Sequence, residues 1–212
     1  VRESVAVIRR VLATHRRPYV AYSGGKDSTV LAHQVLGEAP DTMVLLWDYG
    51  CHYIPRWLHE EFVANARRLG ARELRVRTSE AYERLGRRAV NVLGREYLGK
   101  LVPELREEGF DLAFIGLRAE ESVKRRLRTR GFTWREHGMD CCAPLRDWTA
   151  EDVWAYIASR NLPFASVYRR YVPVLGLKQA RLVTFFDPEF DRFGAAELDS
   201  ALMWRFKHGP GA

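Results

Sequence analysis

The chain has 212 residues, 47% hydrophobic and 29% charged, a balance that excludes a disordered or fibrous protein and leaves room for one domain, or one domain plus a small appendage. No apolar run approaches the roughly 20 residues that span a bilayer, the start Val1-Arg2-Glu3-Ser4 lacks the apolar stretch of a signal peptide, and three cysteines, Cys51, Cys141 and Cys142, do not make a disulfide framework; no membrane partner and a cytoplasmic setting are expected. The net charge of +7, from 34 Lys and Arg against 27 Asp and Glu, favours polyanionic partners, nucleotides first and nucleic acid second.

Val5, Ile8, Val11 and Leu12 fall on one face of an amphipathic helix over residues 3–15. The apolar run Pro18-Tyr19-Val20-Ala21-Tyr22 then leads into Ser23-Gly24-Gly25-Lys26-Asp27-Ser28, and Val30, Leu31, Val35 and Leu36 follow at helical spacing. That is strand, glycine-rich turn, helix. Such a turn gathers backbone N–H groups and a helix N-terminus around one spot, which suits a phosphate or pyrophosphate. Gly24 and Gly25 permit the turn and close ligand approach, Ser23 and Ser28 add hydroxyls, and Lys26 adds positive charge. Asp27 either caps the helix or helps hold a magnesium ion. The common P-loop is excluded, because Val20 stands five positions before Gly25 and Asp27 follows the lysine.

Gly37 through Asp41 reads as a helix end and turn. Met43-Val44-Leu45-Leu46-Trp47-Asp48 is continuous and apolar, as for a parallel strand buried on both faces. Asp48 closes it on the side where ligands of open α/β sheets bind. It is read as a nucleotide contact, a metal ligand or a solvated turn residue. Pro55 begins a helix with Phe62, Ala66 and Leu69 inward and Gly70 at its end. Residues 73–78 alternate as a strand, and 79–108 are mostly helical with a break near Gly94 or Gly99.

Asp111 through Gly116 is another buried strand. It runs into a segment in which six of the thirteen residues 118–130 are Lys or Arg. After a strand aimed at a phosphate loop, such a run reads as an anion clamp, since arginine binds phosphate or sulfate through two parallel N–H groups. Residues 127–143 show no clean period and read as an irregular loop, a lid over the site. Thr149 and Asp152 make a capping-box-like start to a helix ending near Asn161, with Val153, Trp154 and Ile157 inward. Residues 172–212 carry few signatures beyond a turn at Phe185 to Pro188 and a frayed end from His208.

Three segments carry a resemblance. Ser23-Gly24-Gly25-Lys26-Asp27-Ser28 resembles the loop of N-type ATP pyrophosphatases. Gly116-Leu117-Arg118-Ala119-Glu120-Glu121-Ser122 with Arg125, and Pro144-Leu145 through Trp148-Thr149, Asp152, Val153, Trp154 and Ile157, resemble the second and third motifs of the phosphoadenosine phosphosulfate (PAPS) reductase family. That family includes the catalytic subunit of bacterial ATP sulfurylase and certain FAD synthetases. Asp48-Tyr49-Gly50 stands where the family often has Asp-Thr-Gly. The resemblance spans roughly residues 15–175 and implies an α/β, adenine nucleotide α-hydrolase-like fold: a parallel five-stranded sheet sandwiched by helices. It divides the chain into a nucleotide-binding domain, 1–175, and a mostly helical or irregular extension, 176–212.

By position, the resemblance implies that Ser23, Gly24, Gly25, Lys26, Asp27, Ser28, Asp48, Gly116 and Glu121 bind the nucleotide. Lys26, Asp27, Arg118 and Arg125 would carry catalysis, with Arg118 and Arg125 on the anionic end of substrate. Asp27 and Asp48 are the candidate magnesium ligands. Trp148, Val153 and Trp154 read as core. The expected nucleotide is ATP, with PAPS or adenosine phosphosulfate (APS) as the alternative. The expected partners are a small anionic acceptor or nucleic acid, and a second copy or another subunit. PAPS reductases attack sulfur with a cysteine in a C-terminal Glu-Cys-Gly-x-His segment, but no cysteine lies beyond Cys142. Three thiols cannot supply a four-cysteine iron–sulfur cluster either, so none is expected. The implied reaction is cleavage of ATP between its α- and β-phosphates for adenylyl transfer. The alternatives are reduction of PAPS or APS by a partner thiol or by Cys141 or Cys142, and a role in nucleic-acid sulfur modification.

Overall fold

In a computed structural model, residues 1–48, 54, 56–78, 96–180 and 182 are described. Helix α1, Arg2–Leu12, buries Ser4, Val7, Ile8 and Val11, one face at three- and four-residue spacing. Strand β1, Pro18–Tyr22, feeds helix α2, Lys26–Glu38. Helix α2 buries nine residues because it packs against β1, α1 and a later helix. Strand β2, Met43–Asp48, is buried at all six positions. Helix α3, Arg56–Arg68, turns Leu58, Phe62 and Ala66 inward, and Gly70 beyond it has φ +96°. Strand β3 is Leu74–Thr78.

One π-type turn, Tyr97–Leu101, contains Gly99 and runs into helix α4, Val102–Glu107. Strand β4, Leu112–Ile115, precedes a single 3-10 turn, Ala119–Glu121, and helix α5, Val123–Arg128. Strands β5, Thr133–Glu136, and β6, Met139–Cys142, follow. Helix α6, Ala150–Ser159, and helix α7, Tyr168–Gln179, complete the described fold. A non-helical Gly176, φ 75°, interrupts α7. The helix start expected at Pro55, the helices expected within 79–95, Gly94, and the turn and frayed end of the tail lie outside the described residues.

The sheet order is β3-β2-β1-β4-β6-β5. Strands β1, β2, β3, β4 and β6 are mutually parallel, and β5 joins the edge antiparallel to β6. Val20 stands beside Val44 on one side and Phe114 on the other. Alternation sends Val20, Val44, Phe114 and Cys142 into one core, and Tyr19, Leu45, Ala113 and Cys141 into the other. The chain winds from β1 to β3 in one direction and returns on the far side of β1 as β4. The carboxyl ends of β1 and β4 therefore diverge at a topological switch point, where ligands of this architecture bind.

One expectation is corrected. Residues 127–143 are not an irregular loop: Thr133–Glu136 and Met139–Cys142 pair as a hairpin. His137 and Gly138, at φ 48° and 76°, make its two-residue turn. Two successive positive φ values give the turn that matches strand twist. Among the described residues no helix is long and apolar enough to cross a membrane.

Candidate functional site

The turn after β1 is fixed by its own side chains. Ser28 Oγ donates to the Gly25 carbonyl at 3.0 Å, accepts from the Ser23 backbone at 3.2 Å, and lies 3.1 Å from Ser23 Oγ. Gly24 has φ +75°, and a Cβ there would sit 2.3 Å from the Phe62 ring of α3. Glycine is therefore required by both conformation and space. Gly25 is the residue before α2, and Lys26 opens the helix. This exposes the helix N-terminus, with its partial positive charge, to whatever lies in front of the turn.

Charges are then linked in a chain. Lys26 Nζ is 2.9 Å from Asp27 Oδ2, and Arg118 Nε is 2.5 Å from Asp27 Oδ1. Arg118 Nη1 lies 2.5 Å from Glu120 Oε2, which also accepts the Ala150 amide at the start of α6, at 2.9 Å. The Arg118 amide donates to Glu121 Oε2 at 3.2 Å, and Glu121 pairs with Arg125. Burial alone would raise the Asp27 pKa, but Lys26 and Arg118 hold it below the usual carboxylate range. Burial would lower the Arg118 pKa, but Asp27 and Glu121 raise it. The Arg118 guanidinium is only 1% exposed.

Gly116 brings the exit of β4 against α2. A Cβ there would meet Ser28 N at 3.0 Å, the Asp27 carbonyl carbon at 3.1 Å and Ser28 Cα at 3.2 Å. Beside this contact lies a cavity of about 360 Å³. Its lining combines polar and charged residues, Ser23, Gly25, Lys26, Asp27, Ser28 and Arg125, with the mostly apolar Tyr19, Leu45, Trp47, Tyr97, Ala113 and Cys141. The first set suits an anion and the second a flat apolar group. Trp47 and Tyr97 meet edge to face with centroids 5.6 Å apart, and among the described residues the buried Trp47 Nε1 has no hydrogen-bond partner.

The structure thus gathers Ser23, Gly25, Lys26, Asp27, Ser28, Gly116, Glu121 and Arg125 around one cavity. Gly24 shapes the turn from behind, against Phe62. Arg118 lies beneath the turn, held by Asp27 and Glu120. Asp48 closes β2, buried, with Arg56 Nη1 at 2.6 Å and His59 Nε2 at 3.9 Å. Trp148 and Val153 are core, and Trp154 packs against it partly buried. The arginine-rich segment is paired as well as charged, Arg125 with Glu121 and Arg128 with Glu136.

The Cys141 and Cys142 thiols are pushed up to about 12, chiefly by burial, so at neutral pH they are protonated and poor nucleophiles. Cys141 lines the cavity while Cys142 enters the opposite core. Among the described residues no three His, Cys, Asp or Glu side chains form a metal cluster.

Two contributors carry no sequence signal. Glu120 joins Arg118 to the start of α6. Tyr168, 142 residues from Lys26, accepts the Lys26 backbone N–H at 3.1 Å. Both roles depend on tertiary neighbours and on no local pattern.

A parallel sheet whose first strand turns through a Ser-Gly-Gly-Lys-Asp-Ser loop onto a helix N-terminus, beside a switch-point cavity, defines the adenine nucleotide α-hydrolase-like class. Within that class the chain belongs to the phosphoadenosine phosphosulfate reductase domain family, whose model matches residues 17–196. Sulfate adenylyltransferase subunit 2 of Xylella fastidiosa is 30% identical over 202 residues, covering 78% of this chain and 64% of that protein. The protein of the same name from Mycobacterium sp. (strain JLS) is 31% identical over 199 residues, covering 78% and 62%. The chain thus spans less than two thirds of the length of these relatives. The PAPS reductase of Candida auris, solved as a phosphate complex, superposes with TM-score 0.58 at 18% identity, covering 80% of this chain and 85% of that one. The U34-tRNA thiolase of Methanococcus maripaludis, solved with its [4Fe-4S] cluster, superposes with TM-score 0.55 at 17% identity, covering 78% and 64%. Both likenesses establish the fold alone.

Proposed function

We propose that the chain is an enzyme that binds ATP with its phosphates against residues 23–28 and cleaves the bond between the α- and β-phosphates. An oxygen of an anionic acceptor attacks the α-phosphorus, the bond to the bridging oxygen breaks, and pyrophosphate leaves. The observation that carries this reading is the complete loop, set at the α2 N-terminus with Lys26 and Asp27 on the cavity. Catalysis of this kind needs positioning and charge neutralisation, with no protein nucleophile. The high thiol pKa values agree.

Lys26 and the turn amides neutralise the leaving pyrophosphate, and Arg125, oriented by Glu121, meets the acceptor side. Arg118 acts through Asp27 as a positioning residue. Magnesium fits as an ion carried mainly by the phosphates and water. Both Asp27 oxygens are taken and Asp48 is paired, so the protein adds at most a carboxylate oxygen. When bound, the ion neutralises phosphate charge. Sulfate is the first acceptor to test, supported by the sulfate adenylyltransferase relatives; a nucleic-acid acceptor draws on the +7 charge. A cytoplasmic setting and a second subunit or copy belong to the same proposal.

Family membership favours a second reading, reduction of PAPS or APS by a partner's thiol. The test is ATP labelled in the α-phosphate, incubated with magnesium, with and without sulfate. AMP with pyrophosphate, or a sulfate-dependent adduct, supports the first reading, and Lys26→Ala abolishes it. No turnover alongside binding of PAPS or APS and partner-dependent sulfite release moves the assignment to the second.

A further inference from the structure

The first amides of a helix lack partners inside it, and at a phosphate loop they are the donors a ligand uses. In this protein one of them is already engaged. The Lys26 N–H, at the start of α2, donates to Tyr168 Oη at 3.1 Å. The backbone N–H of Leu182 also faces that oxygen. A Cβ on Gly25 would stand 3.6 Å from Tyr168 Oη and 3.7 Å from Leu182 Cδ1, so the phenol sits directly on the turn.

The ring has little freedom. Trp154 meets it edge-on with centroids 5.1 Å apart, and Tyr168 is only 1% exposed. Two residues earlier, both Glu61 oxygens hold Ser166, one on its amide and one on its hydroxyl, each at 2.8 Å. Burial, with Asp27 nearby, raises the phenol pKa well above its ordinary value, so the hydroxyl keeps its proton. Its lone pairs face two amides, and among the described residues no acceptor takes the proton. Tyr168 lines the same cavity as Ser23, Lys26 and Arg125. An O–H group whose oxygen already accepts is a stronger donor.

We propose that Tyr168 is a phosphate-binding residue of this site: while its oxygen accepts the Lys26 amide, its proton is donated to an anionic oxygen of a phosphate or pyrophosphate seated on residues 23–28. This rests on the reading that the loop binds nucleotide phosphates. Helix α7 thereby adds a neutral donor from a distant part of the chain to a site built from the charged pairs, serine hydroxyls and backbone of the turn.

Tyr168→Phe removes the hydroxyl and keeps the ring against Trp154. Titration calorimetry with inorganic pyrophosphate, ATP and adenosine separates the roles. The dissociation constants for pyrophosphate and ATP are expected to rise about 10- to 100-fold, the range of a hydrogen bond to a charged acceptor, while that for adenosine stays within about twofold. Unchanged pyrophosphate binding overturns the proposal. So does tighter binding, which would make the hydroxyl a competitor for the Lys26 amide, and so does equal weakening for all three ligands, which would make its role structural. If Tyr168→Phe does not fold, 3-fluorotyrosine at position 168 takes its place. Its fluorine resonance must then shift with pyrophosphate and stay put with adenosine; any other pattern overturns the proposal. A wild-type protein that binds neither pyrophosphate nor ATP overturns the nucleotide reading itself, and this inference with it.

Discussion

Arg118 Nε stands 2.5 Å from Asp27 Oδ1, although 91 residues separate the two in the chain. The contact ties the exit of β4 to the first turn of α2. Lys26 holds the other carboxylate oxygen at 2.9 Å. Asp27 is therefore the negative centre between two buried cations; removing its charge takes from Lys26 the carboxylate it pairs with and leaves Arg118 to Glu120 and Glu121.

Asp27→Asn is expected to destabilise the fold by about 3 kcal/mol, the lower end for breaking a buried pair, because the Asp27 side chain keeps 15% exposure. The folded-state pKa lies below the unfolded one. Its contribution is thus complete above about pH 4 and is lost as pH falls through the folded value. Urea unfolding across pH should show the gap between wild type and Asp27→Asn closing in acid. A gap independent of pH would contradict the pairing.

Gly116→Ala pushes a methyl group against the Asp27–Ser28 backbone, with the nearest atom at 3.0 Å. Backbone cannot swing away as a side chain can, so a cost of about 1–3 kcal/mol is expected, together with weaker pyrophosphate binding. Gly37→Ala is the contrasting case. It lies near the end of α2 with nothing within 4 Å of an added Cβ, and should stabilise by about 0.5–1 kcal/mol. Denaturation midpoints and calorimetry of both variants check the pair.

Cys141 and Cys142, with thiols pushed up to about 12 by burial, should resist iodoacetamide at pH 8 while the protein is folded and react promptly in urea. Peptide mass spectrometry assigns the labelled positions. Rapid alkylation of Cys141 in the native protein would point to a thiolate and revive a sulfur-attack chemistry.

Thr149 accepts the Asp152 amide at 3.1 Å, and Asp152 accepts the Thr149 amide at 2.8 Å. Thr149→Ala should cost about 1 kcal/mol, and Thr149→Ser much less, both read from urea midpoints.

Strands β1, β2 and β4 were legible as continuous apolar runs, as Met43–Asp48 is, and β3 from its alternation. The loop was legible because its serines act through neighbours in sequence and Gly24 takes a conformation that favours glycine. The hairpin of β5 and β6 was not. Thr133–Glu136 is half exposed, and the turn uses His137-Gly138 where Asn-Gly would have advertised it. The orientation of Arg118 was equally hidden. A basic segment after a strand indicates charge near the site, but whether a guanidinium faces the cavity or a carboxylate beneath it depends on Asp27 and Glu120 in space. Tyr168 opens α7 without a local pattern that marks it, and its contact with Lys26 is visible only in the folded chain.

Strand order has a consequence for the timing of assembly. The turn of residues 23–28 is finished early in the chain, yet Arg118, the counter-ion of Asp27, and Tyr168, the acceptor for the Lys26 amide, arrive with later segments. As the chain is synthesised, the first half of the sheet emerges carrying an incomplete loop, and docking of β4 and then α7 completes it. Completion of the site thus requires closure of contacts 91 and 142 residues apart in sequence, beyond formation of the local turn.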